Sequence, residues 1–200
     1  CRPPPGDAVA SSREDVALAQ DAAAPGRGEA APTLDAPASH VLRYDLPARQ
    51  WAAEALPLGN GRLGCMVFGG VERERIQFNE DSLWTGDANP SGVYETMGAY
   101  QNFGALIFDL EETDGAAATA YSRSLSLDEA LHRVSFKARD VTHTRTVFVS
   151  HPHQVIAVRW TADRAGAVSG RVRLAGAHGE TTTVDGDTLA LAGKLSNGLE

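Results

Sequence analysis

Cysteine is nearly absent: Cys1 and Cys65 are the only two in 200 residues. Two thiols make no disulfide framework of the kind that staples small secreted domains, so a stable fold here must rest on a packed core. No apolar run approaches the roughly 20 residues of a membrane-spanning helix. Cations are few as well, 18 Lys plus Arg against 26 Asp plus Glu, for a formal net charge of -8. A surface that grips nucleic acid clusters its cations against phosphate. The densest basic stretch, Arg133, Lys137 and Arg139, instead alternates with apolar residues, as the wet face of a strand does. Aromatic residues are missing before Tyr44, while residues 1–39 hold six of the ten prolines and many alanines. So little large apolar surface cannot offset the entropy of ordering a chain. Residues 1–39 are therefore expected to be a disordered Ala/Pro-rich tail, a tether or leader remnant with at most a short helix near Glu14–Gln20. The folded unit is expected over 40–200.

The two cysteines read differently. Cys65 sits in LGCMVFG and is expected to be a buried thiol acting as a small hydrophobe. Cys1 opens a chain that lacks an initial Met and runs into the flexible segment. That pattern fits a processed bacterial lipoprotein, and a numbering boundary gives the same first residue. The first alternative places the protein outside the cytoplasm, periplasmic or secreted, with lipid attached through Cys1.

What is present is strand-like. In RVSFKARDV, Val134, Phe136 and Ala138 point one way and Arg133, Ser135, Lys137 and Arg139 the other, the period of a half-buried antiparallel strand. THTRTVFVS can pair back onto it, and QVIAVRW (154–160) follows the His151-Pro152-His153 corner. Strands continue over 167–174 and 181–184, and Asp185-Gly186 before Thr188–Leu191 signals a tight hairpin. SLDEA (126–130) carries the Ser-x-x-Glu capping order and predicts one helical turn, packed as a connector among leucines. No long amphipathic helix is evident. The fold class is mainly β, a large antiparallel β-sandwich, and the end at KLSNGLE reads as a stop within a longer protein.

Polar groups concentrate between Leu56 and Gly86. Leu58-Gly59-Asn60-Gly61-Arg62-Leu63-Gly64 is a glycine-spaced turn, and neither its order nor its spacing matches a phosphate or dinucleotide loop. The segments 63–68 and 75–78 should form a hairpin. Asn79-Glu80-Asp81-Ser82-Leu83-Trp84 follows, with amides and carboxylates to receive hydroxyls and an indole face for apolar C–H edges. The same residues can instead cap turns and bury Trp84 under a loop; both alternatives stand at this stage. Glu80 and Asp81 are a poor acid–base pair, since strand neighbours face opposite sides. His143, His151, His153 and His178 are scattered and bring no third ligand together, so no metal site is expected. No Ser-His-Asp order or GxSxG occurs.

The segments LPLGNGRLGCMVFGGVERERIQFNEDSLWTG, GAYQNFGAL, YSRSLSLDEALHRVSF and VTHTRTVFVSHPHQVIAVRW occur in one order between Leu56 and Trp160, the strongest pieces of a likeness that covers roughly 42–198. In this the chain resembles the family 95 glycoside hydrolases, the α-L-fucosidases. The resemblance implies an N-terminal β-sandwich followed, beyond residue 200, by a helical linker, an α/α barrel and a further β domain. It implies inverting exo-hydrolysis of terminal Fucα1-2Gal units on an oligosaccharide or polysaccharide, with plant xyloglucan as a source, or of α-L-galactosides as in some relatives. It implies no cofactor and no metal, with the catalytic carboxylates in the barrel and none in this chain. Asn60, Arg62, Asn79, Asp81 and Trp84 are then the candidates for a pocket rim or an interface with the barrel as intramolecular partner. One departure is FGAL at 103–106, where the family commonly has FGDL; Asp109 is the nearest substitute. The competing class is a non-catalytic carbohydrate-binding or structural β domain.

Overall fold

Strict alternation of inward and outward side chains sets the architecture. The computed structural model describes residues 40–86, 92–94, 97–111 and 118–195. The tail 1–39, with its expected short helix, lies outside the described residues. The strands are β1 (Val41–Tyr44), β2 (Leu56–Gly59), β3 (Leu63–Val67), β4 (Arg73–Glu80), β5 (Gly104–Leu110) and β6 (Thr119–Ser126). They continue with β7 (Leu131–Ala138), β8 (Val141–Ser150), β9 (Val155–Ala162), β10 (Gly170–Gly176), β11 (Thr182–Asp185) and β12 (Thr188–Leu191). One antiparallel sheet runs β1-β6-β7-β8-β9, a second runs β10-β5-β4-β3-β2, and β11-β12 is a separate hairpin. The expected β-sandwich is the fold found.

The core lies between the two five-stranded sheets. On the second sheet Leu174, Leu106, Ile76, Val67 and Leu56 stand opposite one another strand by strand, forming one apolar row. Leu125 and Val147 of the first sheet close onto this cluster, with Cys65 inside it as expected. Burial pushes the Cys65 thiol up to about 12, so it stays protonated and inert. Val134 and Phe136 are fully buried and Ala138 nearly so, in the alternation read from the sequence. Side chains of this size each gain about 1.5–3 kcal/mol from complete burial.

A polar seam crosses this core. Glu74, Arg123, His132 and Arg145 all occupy inward positions and are almost wholly buried. Arg145 Nη1 lies 2.7 Å from Glu74 Oε2, as an ion pair rather than a directed hydrogen bond. Its Nη2 donates to the Gly70 carbonyl. Glu74 Oε1 accepts from the Gly69 and Arg75 amides at 2.8 and 3.0 Å. Burial pushes the Glu74 carboxyl up and the Arg145 guanidinium down, each resisted by the other's charge. Arg145 also lies over the Trp160 and Phe136 rings, at 4.6 and 5.4 Å from their centroids. The Gly69-Gly70 turn makes this possible. Gly69 has φ +73°, and a Cβ there would sit 2.6 Å from Arg123 Cδ and 2.7 Å from the Tyr121 hydroxyl.

Turns depart from the sequence reading in two places. The 126–130 segment is a β-turn connection, not a helical turn. Glu129 N–H does donate to Ser126 Oγ at 3.3 Å, as the capping order anticipates. But Ala130 turns to φ +50° and Leu131 returns opposite Ser126, so the hairpin wins before a helix can propagate. In the second hairpin Asp185 is the last strand residue, opposite Thr188, and Gly186-Asp187 forms the loop. Gly186, with φ +56°, takes the first loop position, the place a type II′ turn reserves for glycine.

The β7–β8 loop is Arg139-Asp140, and both residues have positive φ, 46° and 63°. That is the demand of a type I′ turn made on two residues with side chains. Replacing the pair by Asn-Gly should stabilise the chain by roughly 1 kcal/mol. The exposed Lys137–Asp140 ion pair lost in the change is worth only a few tenths. Thermal unfolding should show a midpoint higher by about 2–4 °C; an unchanged or lower midpoint would remove the strain argument.

Candidate functional site

The five candidate residues gather at one end of the second sheet. Asn60 sits in the β2–β3 turn. Its Oδ1 accepts from the Arg62 and Leu63 amides at 3.0 and 2.7 Å, the self-capping its position predicts. Its Nδ2 donates 2.8 Å to the Ser150 carbonyl of β8, tying this turn to the other sheet. Asn60 is thus a brace between the sheets. Arg62 points along the rim, where its Nε donates 2.9 Å to Glu80 Oε1.

β4 runs two residues further than expected and ends at Glu80, so Asn79 and Glu80 are strand residues. Asn79 Nδ2 donates 2.5 Å to the Gln101 carbonyl, fixing the 97–103 segment beside the strand end. Glu80 Oε2 takes the Ser82 amide and hydroxyl at 2.9 and 2.5 Å. Ser82 and Arg62 together hold the Glu80 carboxyl down to about 2. β4 ends at Glu80, so Asp81 opens the turn that follows. A carboxyl this acidic is a fixed acceptor near neutral pH and cannot serve as a general acid. Asp81 also contributes backbone contacts: its amide donates to the Arg62 carbonyl at 3.0 Å.

Trp84 is neither sunk beneath a loop nor loose. It is 46% exposed, and its indole N–H donates 2.9 Å to the Asp81 carbonyl. A β-bridge joins it to Tyr100, and the two rings lie 5.2 Å apart with a 45° tilt. Tyr100 is 48% exposed. Partial burial, then the charges of Asp81 and Glu80, push its phenol upward, so it remains a neutral donor. The result is an open aromatic corner with a carboxylate pair at its side. Such a corner can cover the C–H face of a sugar or the surface of another domain while its carboxylates accept hydroxyls.

Ser82, Tyr100 and Gln101 belong to this rim and were not singled out from the sequence. Tyr100 is brought to Trp84 across a connection whose residues 87–91 lie outside the described residues, and no periodic pattern marks that pairing. Asp109 does not stand in at the 103–106 corner. It is held between Arg73 and Arg173 at 2.5 and 2.9 Å, and those two bonds outweigh its partial burial to keep its carboxyl below the ordinary range. Gly104 of that corner instead lies against β10, where a Cβ would meet the Ala175 carbonyl at 2.4 Å.

The fold is a two-sheet antiparallel β-sandwich with an open rim of amide, carboxylate and aromatic groups. Residues 42–97 and 90–200 match the family described as Glycosyl hydrolase family 65, N-terminal domain, and the chain belongs to that family. The family number differs from the 95 suggested by the motifs; both describe the front domain of a glycoside hydrolase. The chain is 30% identical over 167 residues to Alpha-L-fucosidase 2 of Arabidopsis thaliana, covering 66% of this chain and 19% of that protein. It is 25% identical over 187 residues to Probable alpha-fucosidase A of Aspergillus niger, covering 72% and 23% respectively. The corresponding protein of Aspergillus oryzae is 27% identical over 135 residues. The chain thus spans 19–23% of the length of these relatives.

Proposed function

We propose that residues 40–200 form the N-terminal, non-catalytic β-sandwich of an inverting exo-α-L-fucosidase of the family 95 type. In this reading residues 1–39 are its tether and the α/α barrel follows residue 200. The observation that carries the proposal is the ordered similarity, through most of the sandwich, to proteins named as α-fucosidases. In the whole enzyme an acid of the barrel protonates the leaving galactoside oxygen. A second group activates a water that attacks the fucosyl anomeric carbon from the opposite face, which gives inversion in one displacement. The chemistry uses no metal or organic cofactor. A fucosylated polysaccharide as substrate favours work outside the cytoplasm.

The rim supplies the domain's share. Trp84, with Tyr100 against it, offers an exposed aromatic face at the mouth of the pocket. Arg62, Asn79 and Asp81 hold the loop that presents it, and Asn60 anchors that loop to the first sheet. In the full-length enzyme Trp84→Ala is expected to lower kcat/KM on a Fucα1-2Gal oligosaccharide about tenfold, with the unfolding midpoint retained. Arg62→Ala should lower it less, because its Nε is committed to Glu80. NMR of the first product should show β-L-fucose, and the 200-residue chain alone should release none. Release of the α anomer first would reject inversion. Full activity in a folded Trp84→Ala enzyme would reject the rim's role, and hydrolysis by the isolated chain would reject the non-catalytic assignment.

A further inference from the structure

The outer face of the first sheet carries a second pattern, remote from the rim. Arg43 of β1 stands opposite Ser124 of β6, which stands opposite Arg133 of β7. Arg133 stands opposite Thr146 of β8, and Thr146 opposite Arg159 of β9. The row therefore reads Arg-Ser-Arg-Thr-Arg across the whole width of the sheet. With strands about 4.8 Å apart, the arginines repeat every ~10 Å over a row of roughly 20 Å. All three are exposed, and none has an ion-pair or hydrogen-bond partner among the described residues. Two residues along each strand, on the same face, Ser122, Ser135, Thr144 and Thr161 form a parallel row of hydroxyls. The β1–β6–β7 part of this face is a groove of about 480 Å³ lined by both Arg43 and Arg133.

Unpaired arginines at a regular interval are unexpected on a chain of net charge -8. The spacing and chemistry select a ligand with planar anions at every second unit and hydroxyls between. The guanidinium fork matches a carboxylate in plane and in donor spacing, and the hydroxyl row can exchange hydrogen bonds with sugar hydroxyls. We propose that this face is a binding strip for a uronic-acid-bearing polysaccharide, lying across the strands with one carboxylate on each of the three arginines. Asp128 and Glu129 close the groove at the β6–β7 turn, with Asp128 held by His40 at 3.0 Å. Their charge confines a polyanion to the arginine row. The acidity of the rest of the molecule disfavours a longer, denser polyanion such as a nucleic acid. The strip's use, holding the enzyme on an acidic polymer whose side chains it trims, rests on the fucosidase reading; the binding itself does not.

Affinity electrophoresis of the 200-residue chain tests it, through gels containing polygalacturonate or neutral xyloglucan. Polygalacturonate should retard the chain, xyloglucan should not, and added salt should weaken the retardation. The triple variant Arg43→Gln/Arg133→Gln/Arg159→Gln should bind about tenfold or more weakly, since each exposed contact adds a modest share. The circular dichroism spectrum should be unchanged, and Arg133→Lys should keep more affinity than Arg133→Gln. No retardation by polygalacturonate, equal retardation by xyloglucan, or equal retardation of the triple variant would each overturn the proposal. Equal or tighter co-sedimentation with phosphatidylserine vesicles would overturn it in favour of a lipid surface. The full-length triple variant should hydrolyse a soluble neutral fucosyl trisaccharide at the parent rate. Loss of fucosidase activity in the parent enzyme would instead count against the earlier reading alone.

Discussion

Arg145→Met should cost the chain about 3–5 kcal/mol of folding free energy, because it leaves the Glu74 carboxylate buried without its cation. That is a large part of the 5–15 kcal/mol that holds an ordinary domain folded. Urea titration should show a markedly lower midpoint with a similar slope. Glu74→Leu should cost a similar amount by stranding the guanidinium. The double variant Glu74→Leu/Arg145→Met should recover much of the loss, since two apolar groups can replace a buried pair. Recovery should remain incomplete. The Gly69 and Arg75 amides and the Gly70 carbonyl, all bonded to this pair, would lose those bonds. Additive losses in the double variant would show that the two side chains do not act as a pair.

Acid should act through His132. The ring is fully buried, and both nitrogens lack a hydrogen-bond partner among the described residues. Burial first, then the charges of Arg123 on β6 and Arg145 on β8, lower its pKa from 6.5 to about 3. Glu74 is the anion of the same seam, and it is already engaged by Arg145. The folded state therefore keeps His132 neutral where the unfolded chain would protonate it. The unfolded state binds more protons between pH 6.5 and about 3, so the stability His132 contributes is fully present above 6.5 and falls with pH through that window. The slope is about 1.4 kcal/mol per pH unit, on the order of 5 kcal/mol across the window. His132→Leu should unfold with a shallower pH dependence while matching or exceeding the parent at pH 7. Parallel pH curves for the two chains would remove His132 as the cause.

The architecture was legible where one face of a strand is apolar. The Val134, Phe136, Ala138 alternation, the buried Cys65 and the pairing of 63–68 with 75–78 all appear in the structure, because period-two burial leaves its mark directly in the sequence. The polar seam was not legible. Glu74, Arg123, His132 and Arg145 look like wet-face residues by type, and only their non-local partners make the inward positions tolerable. The rim was legible in part. Its polar density marked the 56–86 segment, but the Asn60 bond to Ser150 and the Trp84–Tyr100 bridge join residues that no local pattern relates. Likewise, the basic positions at 43, 133 and 159 appear isolated until strand register brings them into one row.

Strand order also imposes a sequence of events in time. From β6 to β9 the first sheet is a meander of adjoining hairpins, each closed by a short connection, and can assemble locally. Its remaining member, β1, must find β6 across all of β2 to β5. Closing so long an intervening chain is entropically slow, and contacts of this range are characteristic of slow-folding β proteins. During synthesis from the N-terminus, Val41–Tyr44 leaves the ribosome well before its sheet neighbour β6 exists. Tyr44, whose ring stacks beneath Arg123 in the finished domain, must wait until that arginine is made. The front of the sandwich is therefore translated first and sealed last, a vulnerable interval for a strand whose backbone is still unpaired.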